Sequence, residues 1–190
     1  AADVYFHGNN KTPQELRDAV DWGIGQIVID SFYELELLNK IAGEAGRKQA
    51  VLIRISPSID GHTHRLTTTG VLDSKFGFPL ETGQAAEAVK LAVAAENLDL
   101  MGLHFHLGSP IFELEPYEES VTRVLAFASE MREFGLDMRE FSPGGGFAIA
   151  YTEADEPPPP SAYAEAIVNA LNEGCERHNL PLSKLILEPG

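Results

Sequence analysis

Short apolar runs and longer amphipathic segments alternate along the whole chain. The apolar runs have the length of strands, whereas the longer segments repeat their apolar residues every three or four positions, as one face of a helix does. The predicted strands lie at residues 4–6, 26–29, 50–55, 100–105, 138–141 and 185–187. The predicted helices lie at residues 13–22, 33–45, 81–96, 116–134 and 162–178, with Thr12 and Ser161 as the N-caps of the first and the last.

This alternation predicts one parallel sheet whose crossover helices cover its faces. Six strands fit either an open doubly wound sheet or three quarters of an eight-stranded barrel. The polar and glycine-rich motifs follow one strand after another, at the end where (β/α)8 barrels carry their chemistry. We therefore predict an α/β fold, a partial (β/α)8 TIM-type barrel of about six strand-helix units. A complete barrel needs about 250 residues, so we expect residues 1–190 to be one barrel domain, truncated at both ends.

Composition narrows the class of protein. The chain has 190 residues, 44% of them hydrophobic, which suffices for one globular domain with its own core. It carries 29 acidic and 14 basic side chains, and the net charge of -15 repels both nucleic acid and anionic membrane surfaces. Cys175 is the only cysteine, which rules out an internal disulfide, and the sequence contains no signal peptide or long apolar span. We expect a cytoplasmic protein that binds neither nucleic acid nor membrane.

Two connections are longer than the loops that such elements usually share. Residues 56–80 form a polar stretch that contains His62, His64 and Lys75, and loops of this length are usually functional or disordered. Residues 151–160 include four consecutive prolines, which favour an extended polyproline conformation and stop any helix. We interpret the proline segment as a surface spacer.

Three consecutive glycines, Gly144, Gly145 and Gly146, follow the fifth predicted strand. Their backbone N–H groups can converge on a phosphate, and the late loops of a barrel often form such a site. A tight turn that requires positive φ explains the same residues equally well. Both interpretations stay open at this point.

His104 and His106 are two positions apart on one predicted strand, so their side chains should point to the same side of it. Three interpretations follow: a histidine buried in the core, a metal-binding pair, or a His106 ring that stacks on an aromatic cofactor while Ser109 binds its phosphate. The metal pair lacks ligands, since catalytic zinc needs at least three protein donors and His7 is the only further histidine at a strand end. We expect no metal.

Two charged side chains occupy positions next to apolar strands. Glu188 follows the last strand, where its carboxylate either keeps a pyridine nitrogen protonated or pairs with an arginine. Arg54 lies within an apolar strand, and a buried arginine must meet a carboxylate or a phosphate, or order a neighbouring ring. Each residue is a candidate for the same end of the barrel.

A series of short motifs adds up to a family resemblance that covers nearly the whole chain. The motifs begin at His7, Asp30, Arg54, Thr69, Gly102, Gly144 and Glu188, and read HGNNK, DS, RI, TG with SKFG, GLHFHLGS, GGGF and EPG. In this order and spacing they resemble the diaminopimelate decarboxylase family. These are pyridoxal-phosphate enzymes with an alanine-racemase-like barrel, related to the ornithine and arginine decarboxylases.

The resemblance implies pyridoxal 5'-phosphate as cofactor, a small amino-acid substrate, a homodimer, and conversion of meso-diaminopimelate to lysine with release of CO2. It implies two catalytic residues: His106, which would stack on the pyridine ring, and Glu188, which would face the ring nitrogen. The cofactor-binding residues would also include Ser109, Gly144, Gly145 and Gly146 at the phosphate, together with Arg54, Pro189 and Gly190. Asn9 and Lys75 would support the site less directly.

The chain also departs from the family's pattern. The family's Schiff-base lysine precedes His7, its substrate-binding arginine follows the Glu-Pro-Gly motif, and its β domain comes later still, so we expect this chain alone to be inactive. Phe105 and Pro110 stand where the family often has cysteine and glutamine, which bears on substrate preference. A metal-dependent barrel hydrolase that uses His104 and His106, and a non-catalytic pyridoxal-phosphate-binding barrel, remain alternatives.

Overall fold

The computed structural model describes residues 1–57 and 76–189. His62, His64, Lys75 and Gly190 therefore lie outside the described residues. The strands are β1 Tyr5–Phe6, β2 Gln26–Ile29, β3 Gln49–Ser56, β4 Phe78–Pro79, β5 Leu98–His104, β6 Glu140–Ser142 and β7 Lys184–Leu185. The helices are α1 Pro13–Trp22, α2 Phe32–Glu44, α3 Gln84–Ala94, α4 Glu115–Met131, which continues into a 3-10 turn at Arg132–Phe134, and α5 Pro160–His178.

The described strands form one sheet in which every pairing is parallel. Its order is β1-β2-β3-β5-β6-β7, and β4 pairs with the end of β3. The predicted strand–helix alternation is confirmed, with the strands in chain order across the sheet. β4 was not predicted, because two residues are too short to show any hydrophobic period.

The sheet is strongly curved, as contacts between side chains from its opposite ends show. Five strand-to-strand steps of about 4.8 Å would separate β1 from β7 by roughly 24 Å in a flat sheet. Instead, the Tyr5 hydroxyl donates to Glu140 Oε2 at 2.9 Å and accepts from Lys184 Nζ at 3.1 Å. This closure is that of a barrel and excludes the open doubly wound sheet. The predicted partial TIM-type barrel is therefore confirmed.

Local signals set the helix starts, with one correction. Thr12 caps α1 through a complete capping box with Glu15, as predicted. Ser31 caps α2, where its Oγ accepts the Glu34 N–H. Ser161 is not the N-cap of the last helix, because α5 begins at Pro160 and Pro159 occupies the cap position without a side-chain hydrogen bond. Proline at the first helical position has a fixed φ that suits a helix start, so it outweighs the serine.

The core lies on both faces of the sheet, between the strands and the helices. All four residues of β2 are buried, as a central parallel strand covered on both faces requires. The largest fully buried side chains include Phe105, Phe141, Tyr117 and Tyr163. No helix among residues 1–57 and 76–189 is long and apolar enough to cross a membrane.

A buried ion pair joins the loop after β1 to β2 and α2. Lys11 Nζ donates to Glu34 Oε1, to the Val28 carbonyl and to the Gly8 carbonyl, each at 2.7 Å. These bonds use all three ammonium donors. Burial raises the pKa of Glu34, against the opposing effect of the Lys11 charge. The pair therefore fixes the loop after β1 against β2 and α2.

We expect Lys11→Met to destabilise the protein by about 3–5 kcal/mol, because it leaves Glu34 buried without a counter-charge. Adding Glu34→Leu to this variant should recover much of that loss, since no unpaired charge then remains. Urea denaturation measures both values. Lys40→Met is the control, because Lys40 pairs with Glu44 while both are more than half exposed, and it should cost less than about 1 kcal/mol. Equal losses from Lys11→Met and Lys40→Met would contradict the assignment.

Candidate functional site

Polar side chains gather at the carboxyl edge of the sheet. His7 follows β1, His104 ends β5, and Ser142 ends β6. Glu188 follows β7 and pairs with Gly145 in a parallel bridge, with the Glu188 N–H donating to the Gly144 carbonyl at 2.9 Å. Because the strands are parallel, their carboxyl ends lie at one edge, where ligands of such sheets bind.

The Glu188 carboxylate is the centre of this group. Its Oε1 lies 3.2 Å from His104 Nε2 and 3.5 Å from His7 Nε2, and it accepts the Ser142 hydroxyl at 3.2 Å. Burial alone would raise the pKa of Glu188, but the contact with His104 and the nearby His7 and His106 outweigh burial and lower it to about 2. Glu188 is therefore a carboxylate at neutral pH.

His104 is almost completely enclosed, with 1% of its surface exposed. Burial lowers its pKa to about 4, against the opposing effect of Glu188, so the ring is neutral at neutral pH. Although Glu188 is within reach of Nε2, neither ring nitrogen forms an aligned hydrogen bond with the described part of the chain. The His7 ring meets it edge-on, with centroids 4.9 Å apart. The two ring nitrogens of His104 are thus buried at the site without complete hydrogen bonding to the neighbouring residues.

His106 does not pair with His104 as a metal-binding couple. β5 ends at His104, so the alternation of side chains along a strand does not extend to His106. His106 Nδ1 instead accepts the Gly145 N–H at 3.3 Å. Among the described residues, a group of three donors that lie within 4.8 Å of one another belongs to His7, His104 and Glu188. Of the interpretations left open for His104 and His106, the metal-binding pair is therefore not supported, and the position of His7 directly after β1 was the signal for a different partner of His104.

The three glycines form a turn that no larger residue fits. Gly144 and Gly146 have φ of 74° and 88°, so the turn requires the conformational freedom that the sequence analysis proposed. A Cβ on Gly145 would collide with the Glu188 carbonyl, and one on Gly146 would collide with the Gly108 carbonyl. Ser109, which is exposed, follows Gly108 at once. The glycine turn thus lies against Glu188 and against Gly108, the residue before Ser109, at one edge of the sheet; Gly190 is outside the described residues.

The glycine turn leaves a donor available for a ligand. The Gly145 N–H bonds to His106, and the Gly144 N–H bonds weakly to Ser142 Oγ at 3.4 Å. The bridge between Gly145 and Glu188 directs the Gly146 N–H towards the Glu188 carbonyl. The Phe147 N–H donates to none of the described residues and is suited to an anion.

Two tyrosines that the sequence analysis missed hold the glycine turn from the helical layer. The Tyr117 hydroxyl, from α4, donates to the Gly145 carbonyl at 2.7 Å, and burial raises its pKa. The Tyr163 hydroxyl, from α5, donates to the Ile111 carbonyl at 2.7 Å and accepts the Ala148 N–H at 3.3 Å. Phe147 stacks on Tyr163 with centroids 4.6 Å apart. Both tyrosines are distant in sequence from the carbonyl groups that they bind, so their role is visible only in the folded structure.

Arg54 meets a carboxylate and a ring, two of the partners that its position in an apolar strand demanded. Its Nη1 donates to Asp30 Oδ2 at 3.2 Å, and its guanidinium lies over the Phe76 ring, 4.6 Å from the centroid. Asp30 Oδ1 also accepts the Gly77 N–H at 2.7 Å. Arg54 and Asp30 therefore tie the segment before β4 to β2 and β3.

Comparison with known proteins gives a consistent result. The family model described as pyridoxal-dependent decarboxylase, pyridoxal binding domain, matches residues 1–190. The chain is similar to the diaminopimelate decarboxylase of Bacillus subtilis, with 39% identity over 100% of this chain and 44% of that protein. The Synechocystis sp. protein of the same name is 39% identical over 100% of this chain and 40% of its own length. The chain thus spans less than half of these relatives.

Solved structures agree with the sequence relatives. The chain is similar to diaminopimelate decarboxylase from M. jannaschii, with a TM-score of 0.91 and 33% identity over 100% of this chain and 43% of that one. The Helicobacter pylori enzyme, solved in complex with L-lysine, gives a TM-score of 0.87 and 33% identity over 100% of this chain and 45% of that one. The curvature inferred from the contacts of Tyr5 is therefore shared with known barrels.

Tyr117→Phe should destabilise the protein by about 1–3 kcal/mol, because it leaves the buried Gly145 carbonyl without its donor. Thermal unfolding measures this loss. Tyr151→Phe is the matched control, since Tyr151 is 69% exposed, and it should leave stability nearly unchanged. Equal stability of the Tyr117→Phe variant and the unmodified protein would show that the hydroxyl does not hold the turn.

Proposed function

The chain belongs to the family of pyridoxal-dependent decarboxylases, as their pyridoxal-binding domain, and on this premise we propose that it is the cofactor-binding barrel portion of a diaminopimelate decarboxylase. The reaction would convert meso-diaminopimelate to lysine and CO2, with pyridoxal 5'-phosphate as cofactor. The observation that carries the proposal is a half-buried carboxylate, Glu188, placed beside a glycine turn whose Phe147 N–H donates to none of the described residues.

The residues present fit this cofactor. The Phe147 N–H and the exposed residue Ser109 supply donors for a phosphate. Glu188 offers a negative charge to a protonated ring nitrogen. His106 offers a half-buried aromatic ring whose tilt is held by the Gly145 N–H. Pro189 directly follows Glu188 and continues the same loop.

When bound, the cofactor supplies an electron sink for the pair left at Cα as CO2 departs. The chain's own residues prepare that chemistry. Glu188, with its pKa near 2, stays ionised and holds a proton on a facing nitrogen through charge attraction. Neutral His104 lies in contact with Glu188 and adds no positive charge there at neutral pH. His106 limits the position of a ring, and the glycine turn fixes a phosphate far from the reacting bonds.

Arg54 would act on the site indirectly. Its guanidinium is already engaged with Asp30 and Phe76, so we assign it the role of ordering the segment at Phe76 and Gly77 beside the site. Its positive charge also lowers the pKa of His106, after the larger effect of burial. Both effects favour a neutral, fixed His106 ring.

The substrate class is inferred from relatives. The similar proteins from Bacillus subtilis and Synechocystis are diaminopimelate decarboxylases, and the M. jannaschii and Helicobacter pylori enzymes were solved with L-lysine. We also propose a cytoplasmic homodimer, and the net charge of -15 favours a protein that avoids nucleic acid and anionic membranes.

In the full-length enzyme of which this chain would be the barrel portion, Glu188→Gln should slow decarboxylation by about 100-fold or more while cofactor still binds. The change keeps size and hydrogen bonding but removes the charge that stabilises the protonated ring. Turnover at saturating substrate and cofactor, with cofactor content read from absorbance, measures this change. Glu140→Gln is the matched control, since Glu140 is also buried but lies at the start of β6. Full turnover of Glu188→Gln would make Glu188 a structural carboxylate.

His106→Ala should weaken cofactor binding by about 2- to 10-fold, the value of one aromatic contact of about 0.5–1.5 kcal/mol, and should lower turnover further through loss of ring alignment. His106→Phe should restore part of the affinity, because it retains the ring without the acceptor for Gly145. Fluorescence titration with pyridoxal 5'-phosphate gives both affinities. His178→Ala, on α5, serves as the control, and an affinity unchanged by His106→Ala would remove His106 from the cofactor site.

A further inference from the structure

The side chains at the carboxyl edge include a group of donors that suits a metal ion. We propose that the cofactor-free protein binds one divalent transition-metal ion, such as Zn²⁺, through His7, His104 and Glu188. Their ligand atoms all lie within 4.8 Å of one another, and they come from three different parts of the chain. Two imidazoles and one carboxylate form a donor set that zinc enzymes use, with a further position left open.

The distances between donors suit such an ion. Two ligands that each lie about 2.1 Å from a tetrahedral zinc are about 3.4 Å apart. Glu188 Oε1 lies 3.2 Å from His104 Nε2 and 3.5 Å from His7 Nε2. The ligand atoms of His7 and His104 lie within 4.8 Å of each other, so an ion between the three atoms requires these two rings to approach by at most about 1.4 Å.

His104 supplies an independent reason to expect a ligand. A side chain that is 1% exposed should have its polar atoms paired, yet neither of its ring nitrogens forms an aligned hydrogen bond with the described residues. Coordination through Nε2 would satisfy one of them.

The surroundings support both entry and orientation. The side chains of His7 and Glu188 are 30% and 34% exposed, so an ion can reach the donors from solvent. Ser142 donates to Glu188 Oε1 and orients the carboxylate, as outer partners of metal ligands do. The parallel bridge between Gly145 and Glu188 fixes the backbone behind it.

Metal and cofactor should exclude each other, a consequence that rests on the proposed function. Glu188 cannot coordinate an ion and face a ring nitrogen at the same time. Zn²⁺ bound by His7, His104 and Glu188 would then delay the binding of pyridoxal 5'-phosphate.

Titration of the cofactor-free protein with Co²⁺, followed by visible absorption, tests the site, with Zn²⁺ added afterwards as a competitor. We expect one ion per chain, in a four- or five-coordinate spectrum that Zn²⁺ abolishes. His7→Ala, His104→Ala and Glu188→Gln should each weaken binding by about 100-fold or more. His178→Ala, which removes a histidine outside the cluster, should leave it unchanged.

Two features keep the test decisive. His104→Ala alters a buried residue, so its folding is checked by circular dichroism, whereas His7 is partly exposed and its variant reports on binding even if the His104 variant is unstable. Absence of a cobalt spectrum, or cobalt affinity that survives His7→Ala, would overturn the metal site while leaving cofactor binding intact. Cobalt binding that pyridoxal 5'-phosphate does not displace would instead overturn the exclusion and the placement of the cofactor ring at Glu188.

Discussion

The close pairing of Gly145 with Glu188 is the constraint on which the carboxyl edge depends. The two backbones approach so closely that no Cβ fits on Gly145, and this approach brings the Glu188 carboxylate back over the ends of β5 and β6. There it meets His104, His7 and Ser142. The same turn leaves the Phe147 N–H without an acceptor among the described residues. One backbone contact thus places a charge and an anion-binding turn side by side.

Burial of ionic groups gives this edge its rigidity. Lys11 with Glu34, Arg54 with Asp30, and Glu188 with its histidines each link segments distant in sequence. Removing such groups from water is costly, and the cost is offset only when every partner keeps its position. The chain as a whole is strongly acidic, yet the cations Lys11 and Arg54 lie inside, next to the loops that a ligand would contact. The buried charges of Lys11 and Arg54 therefore hold the neighbouring loops in position rather than keep the protein soluble.

Much of the fold follows from local pattern, and much of the site does not. Apolar period and helix caps such as Thr12 predicted the strand and helix order, because burial in a parallel sheet imposes that period. The two-residue strand β4 has no period to read. The predicted strand that carries both His104 and His106 was too long, because β5 ends at His104, a boundary that sequence alone does not define. Tyr117 and Tyr163 act through hydroxyl bonds across long sequence separations, and no motif marks them.

The curvature of the sheet also has a kinetic consequence. Tyr5 bonds to Lys184 across 179 positions, and His7 contacts Glu188 over a similar span. Contacts of such high sequence separation form late, after the entropy of closing the intervening chain has been offset by other interactions. During synthesis, β1 emerges long before Glu188, so the nascent chain can complete its helices and inner strands while the pocket is still open. The carboxyl edge of the sheet would then be among the last parts of the protein to assemble. A chain that binds its ligand with full affinity would therefore be one that has finished folding.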